Sequence, residues 1–121
     1  MRKAGARHIA FIGGSGGGYA ALRASAMVPG SLALVADPQT NLANYIPHVV
    51  ERYFNVCWPG WDRPALLDAF PERFDMARYY RAANPDNFVY YTQNRSDVTH
   101  VESHLIPMQS VSGVKDLGMS F

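Results

Sequence analysis

A serine set among glycines, and an aspartate three residues ahead of a histidine, are the groups whose types and spacing suit joint chemistry. Ser15 stands in Gly13-Gly14-Ser15-Gly16-Gly17, which fits G-x-S-x-G, the nucleophile elbow. In such a turn the neighbours must lack side chains. The strand aims the hydroxyl out of the sheet, and the helix after it points its N–H groups back at it. A serine hydroxyl is a poor nucleophile until a base takes its proton, and the base needs an acid to fix its tautomer and steady its charge. The possible bases are His8, His48, His100 and His104, and the possible acids Asp37, Asp97 and Glu102. Asp97-Val98-Thr99-His100 brings carboxylate and imidazole together within one helical turn. The reading is Ser15 as nucleophile, His100 as base and Asp97 as the acid that orients it. The N–H of Gly16 is the first oxyanion donor. A second donor normally comes from a loop after an earlier strand, and the stretch ahead of His8 is too short to supply one. His8, at the end of its strand opposite the elbow, and His48, on a later helix, are read as structural.

These groups need elements to carry them. His8 to Ile12 is a continuous apolar run bounded by glycine, the pattern of a buried parallel strand. Gly13 to Gly18 reads as the turn and Tyr19 to Met27 as a helix ended by Pro29-Gly30. Ser31 to Ala36 is a second buried strand closing on Asp37-Pro38-Gln39-Thr40-Asn41. Strand, helix and strand at this spacing make a βαβ unit with parallel strands, so the elbow and the DPQTN turn emerge at the same carboxyl edge, where open α/β sheets place their sites. Residues 41–83 read as a helical, cap-like insertion, with short helices over Asn44 to Phe54, Ala65 to Phe70 and Phe74 to Ala83. Its tryptophans and tyrosines are read first as packing, second as the wall of a substrate pocket. Asn87 to Thr92 is a third strand, and Val98 to Met108 a short helix stopped at Pro107. The tail VSGVKDLGMSF closes no evident element. Both ends read as cut from a larger domain.

The fold class expected is α/β: a parallel sheet of about three strands with helices on both faces, in a single partial domain. A three-stranded remnant exposes an apolar edge, so marginal stability or self-association is expected. Gln39, Asn41 and Asn94 fall on the same edge as Ser15 and are candidates for binding a polar substrate.

Composition narrows the classes. The chain has 121 residues and a net charge of +1, which gives no reason to expect nucleic acid or an anionic membrane surface as partner. No apolar run approaches the ~18 residues that span a bilayer. The basic start MRKAGAR precedes an apolar run too short for a signal peptide. Cys57 is the one cysteine, which rules out an internal disulfide and fits a reducing, cytoplasmic setting.

Other readings use the same residues. Gly16-x-Gly18-x-x-Ala21 after a strand, with Asp37 closing the next, loosely fits a dinucleotide fingerprint. It leaves Asp97 and His100 unexplained. A Walker A loop is excluded, because no lysine comes after the glycines. His100 and His104 share a helix face and with Asp97 make a metal set on paper, but one catalytic and one packing histidine is the preferred assignment. No cofactor and no metal are expected. A third reading is a hydrolase-like scaffold without activity.

FIGGSGGGYAAL, the strand ending DPQTN, and YYTQNRSDVTHVESHLIPM together resemble a family of bacterial α/β-hydrolase-like proteins found alongside glycosyltransferases and polysaccharide-assembly genes. The family pattern is an S-G-G-G elbow, then P-Q-T-N, then Q-N-x-x-D-x-x-H-x-x-x-H-x-x-P. The resemblance spans Ile9 to Met108 and is carried by three short blocks. It implies an α/β-hydrolase fold, Ser15 as nucleophile, and Asp97 and His100 as its partners. The activity expected is ester hydrolysis or acyl transfer on a small-molecule or saccharide ester, although the resemblance itself implies no particular substrate. It also implies that the first half of the sheet and its oxyanion loop lie outside this chain. In an ordinary α/β-hydrolase the base comes after a further strand, which leaves room for a base beyond Phe121. Asp-x-x-His is the spacing used by SGNH-type hydrolases, whose serine motif this chain lacks.

Overall fold

The apolar runs around Phe11, Leu34 and Val89 become neighbouring parallel strands. The computed structural model describes residues 5–111 and, as backbone, 117–120. The elements are β1 (Ala10–Gly14), α1 (Ser15–Ala26), β2 (Leu32–Ala36), α2 (Pro47–Cys57), α3 (Arg63–Ala69), α4 (Pro71–Phe74), α5 (Met76–Ala83), β3 (Phe88–Thr92), α6 (Val98–His100), a π-helical turn (Val101–Leu105), α7 (Ile106–Gln109) and β4 (Leu117–Ser120). The strands lie side by side in chain order, all parallel. Gly14 pairs with Ala36 and Ala36 with Thr92, so the first three strands end level. The segments after them all leave the sheet at one carboxyl edge. The expected α/β class and parallel sheet are therefore what the chain forms. β4 adds a strand where none was expected: it is four residues long and includes Gly118, so it carries little strand signal.

The helices do not flank both faces as expected. Leu22 of α1, Met76 and Tyr80 of α5 and Met108 of α7 bury against Ala33, Val35, Val89 and Tyr91, all on one face. On the other face Ile12, Phe88 and Tyr90 stay 74%, 48% and 43% exposed, and no described helix covers them. The cause is topological. Each crossover steps one strand in the same direction, and a constant crossover hand then delivers every connection to the same side.

Two local expectations also shift. Helix α1 begins at Ser15 rather than Tyr19, so the glycines after the serine form its first turn. The last helix does not stop at Pro107. It widens into the π-turn and runs on to Gln109. A proline inside a regular α-helix collides with the carbonyl four residues back, and a wider turn relieves that collision.

The expected helical insertion divides. Val50, Phe54, Leu66 and Phe74 of α2–α4 form a small core of their own, with Trp58 edge-on to Phe74 at 5.5 Å. Helix α5 instead joins the main core. Asp62 and Asp75 cap α3 and α5 by accepting from the N–H groups of Ala65 (3.1 Å) and Arg78 (3.2 Å). At the amino end of the sheet a buried polar cluster ties the layers. Asn87 donates to Ser25 Oγ (2.8 Å) and to the Tyr80 hydroxyl (3.0 Å), which donates to the Leu22 carbonyl (2.8 Å).

Candidate active site

Ser15 comes directly after β1 and sits at φ 51°, a left-handed conformation that an L-residue holds only when its surroundings impose it. Packing imposes it here. A Cβ on Gly13 would stand 2.2 Å from the Gly17 carbonyl oxygen, and one on Gly18 would stand 2.5 Å from Pro38 Cβ. A Cβ on Gly17 would meet nothing within 4 Å. The glycines that the bend requires are thus Gly13 and Gly18, whereas the motif named Gly13 and Gly17.

The DPQTN turn closes over this bend. Gln39 N–H donates to the Ser15 carbonyl (2.9 Å), and Gln39 Nε2 donates to Ser15 Oγ (3.3 Å). Gly16 lies second in α1, where an α-helix leaves its N–H without an intrahelical acceptor. Its Cα faces the Gln39 amide, at 3.9 Å from Oε1 for an added Cβ. Gln39 also lines a small cavity of about 100 Å³ with Leu42, Tyr45, Val49, Val50 and Tyr53. An apolar group held on Ser15 would have that cavity beside it.

Asp37 repeats the serine's strain on the next strand, with φ 43°. Its Oδ1 accepts from Gln93 Nε2 (2.8 Å) and from the Asn94 N–H (2.6 Å), which binds the second and third loops together. That carboxylate oxygen is thus engaged where a ribose would require it. The described strands also run in unbroken order, and no reversal of the kind at which dinucleotides bind occurs among them.

The Asp97–His100 pairing forms as the spacing predicts. Asp97 caps α6 by accepting from the His100 N–H (3.1 Å), and its Oδ2 lies 2.7 Å from His100 Nδ1. The Asp97 carboxyl is held below its usual range, first by that backbone hydrogen bond. His100 is buried, 7% exposed; its Nε2 has no hydrogen-bond partner among the described residues, and its Nδ1 meets Asp97 at ion-pair distance without hydrogen-bond geometry. The bond from His100 to Ser15 is therefore not made in this conformation. Tyr45 packs edge-on against His100 at 5.5 Å, so the residue that lines the small cavity also touches the dyad.

His104 has a different task. Its Nδ1 accepts from the N–H groups of Thr40 (3.0 Å) and Asn41 (3.3 Å), while Thr40 Oγ1 donates to the His104 carbonyl (2.8 Å). The π-turn thus grips the DPQTN loop. Both backbone donors fix the neutral tautomer with its proton on Nε2. Burial holds this imidazole down from 6.5 to about 4, assisted by the neighbouring His100. Among the described residues no three His, Cys, Asp or Glu side chains are arranged to hold a metal ion.

The remaining expected residues are placed plainly. The side-chain oxygen of Asn41 accepts from Ala43 N–H (3.0 Å) and that of Asn94 from Ser96 N–H (3.0 Å), so each closes its own turn. Gln39 is the one of the three turned onto Ser15. His8 and His48 are exposed, and neither is bonded to the site. Tyr45 and Thr40 escaped notice in the sequence, although Thr40 belongs to the P-Q-T-N block. Comparison with protein-family models, curated proteins and solved structures gives no significant match.

Proposed function

We propose that the chain carries a serine acyl-transfer site, acting as a hydrolase or acyltransferase on a small-molecule or saccharide ester. The observation that carries this reading is the strained Ser15, bent out of the sheet by Gly13 and Gly18 at the start of α1. Ser15 Oγ attacks the ester carbonyl and forms a tetrahedral oxyanion. His100 takes the serine proton through Nε2 and returns it to the leaving alcohol, and Asp97 orients His100 through Nδ1. Gly16 N–H and the Gln39 amide stand beside the serine as oxyanion donors, so the DPQTN turn supplies the second donor that an earlier loop would otherwise give. This reading requires the His100–Ser15 bond to form in the substrate complex, a tightening common to such sites. A cytoplasmic location goes with this reading on the single exposed thiol of Cys57, and self-association on the bare sheet face. No described helix is long and apolar enough to cross a membrane.

A fluorophosphonate probe tests it. Ser15 is expected to be labelled, and labelling to vanish in Ser15→Ala. Labelling in His100→Ala is expected to be slower by about a hundredfold or more. The unbonded His100 Nε2 favours a second reading, a scaffold that keeps the bend without the chemistry. Equal turnover of p-nitrophenyl acetate by the protein and by Ser15→Ala would establish that second reading and end the first.

A further inference from the structure

A second set of side chains faces a different cavity. One and two helical turns beyond Ser15, Tyr19 and Arg23 of α1 line a groove of about 310 Å³ with Tyr53, Trp58 and Arg73. A further 360 Å³ opens along α4 and shares both arginines. The volume suits a small ligand.

The charged residues lining the 310 Å³ groove are both arginines, while the adjoining cavity also has Glu72 in its wall. Arg23 lays its guanidinium on the Tyr79 ring, 3.8 Å from the centroid, and Nη1 donates to the Glu72 carbonyl (3.3 Å). Arg73 stands 5.8 Å from the Trp58 ring and 5.6 Å from Phe70. Both cations are thus held by neutral groups, and neither forms an ion pair among the described residues. The Tyr19 hydroxyl donates to the Arg73 carbonyl, and burial pushes its pKa well up, so it adds no negative charge.

We propose that this groove binds a phosphomonoester carried on a flat ring. Two arginines lining one cavity match a dianion in charge, and a planar guanidinium can take two phosphate oxygens at once. Tyr53 and Trp58 supply the apolar wall against which a ring packs. The groove shares Tyr53 with the small cavity beside Ser15 but uses none of the groups assigned to the serine chemistry.

Phenyl phosphate is the probe. With Trp61 changed to phenylalanine, Trp58 reports binding by fluorescence. Saturable quenching is expected, weakened at least tenfold in Arg73→Gln and in Arg23→Gln and largely restored in Arg73→Lys. Phenol is expected not to saturate, and benzoate to bind several-fold more weakly than phenyl phosphate. Unchanged affinity in correctly folded Arg73→Gln, or phenol binding as well as phenyl phosphate, would overturn the site. Benzoate binding equally well would overturn the phosphate assignment. Ser15→Ala is expected to bind phenyl phosphate unchanged, so failure of this site and failure of the serine chemistry are read separately.

Discussion

The two halves of the candidate site are built on opposite terms. Ser15 is exposed, and its conformation is set by glycines within three positions of it. His100 and His104 are buried, and His104 is placed by Thr40 and Asn41, more than sixty positions away in the chain. The serine half stores its information in backbone sterics. The histidine half stores it in burial and in hydrogen bonds between loops. The DPQTN turn joins them, with Pro38 against Gly18, Gln39 on Ser15 and Thr40 on His104. One short loop thus transmits position from the buried half to the exposed half.

That contrast can be broken most forcefully at the glycines. Gly13→Ala drives a methyl group into a backbone carbonyl and is expected to cost roughly 3 kcal/mol or more by urea unfolding. Gly17→Ala meets open space inside a helix and is expected to be neutral or stabilising by up to about 1 kcal/mol. Similar losses in both would show that local sterics do not set the elbow.

Acid is expected to break the other half. Folded His104 takes its proton near pH 4, whereas the unfolded chain takes it near 6.5. Between those values the unfolded state binds more protons. Stability is therefore fully present above about 6.5 and lost as pH falls through 4, by roughly 3 kcal/mol. His104→Gln keeps an acceptor for the Thr40 and Asn41 N–H groups but cannot titrate. Its unfolding free energy should fall much less over that window than the parent's, and a slope like the parent's would remove His104 as the cause.

Asp97→Ala sharpens the division between stability and chemistry. Loss of the α6 cap is expected to cost about 1 kcal/mol. Fluorophosphonate labelling should fall much further, because His100 loses its orienting carboxylate. Gln39→Leu is the mildest change. It should leave stability within about 0.5 kcal/mol while slowing labelling roughly tenfold or more. Labelling at the parent rate would show that the second oxyanion donor is not Gln39.

Periodicity and turn residues made β1, β2 and β3 legible, because a buried strand bounded by glycine or a polar turn has few alternatives. The Asp97–His100 contact was legible too, since a cap and its helix are close in sequence. Pro107 misled, because its cost is relieved by a π-turn that sequence spacing does not reveal. Asn41 and Asn94 looked available from their position at the sheet edge, yet their oxygens close local turns.

By itself the sequence determined the bend at Ser15, the parallel βαβ pairing and the Asp97–His100 dyad. Each rests on sterics or hydrogen bonds between residues close in the chain, or on an apolar run that only a sheet can bury. The tertiary structure alone decided that the helices packed on the sheet share one face, that Thr40 and Asn41 meet His104, and that Arg23 and Arg73 share an aromatic groove. Those are contacts between distant segments. They depend on crossover direction and on which polar groups find partners once water is excluded, and no local pattern encodes either.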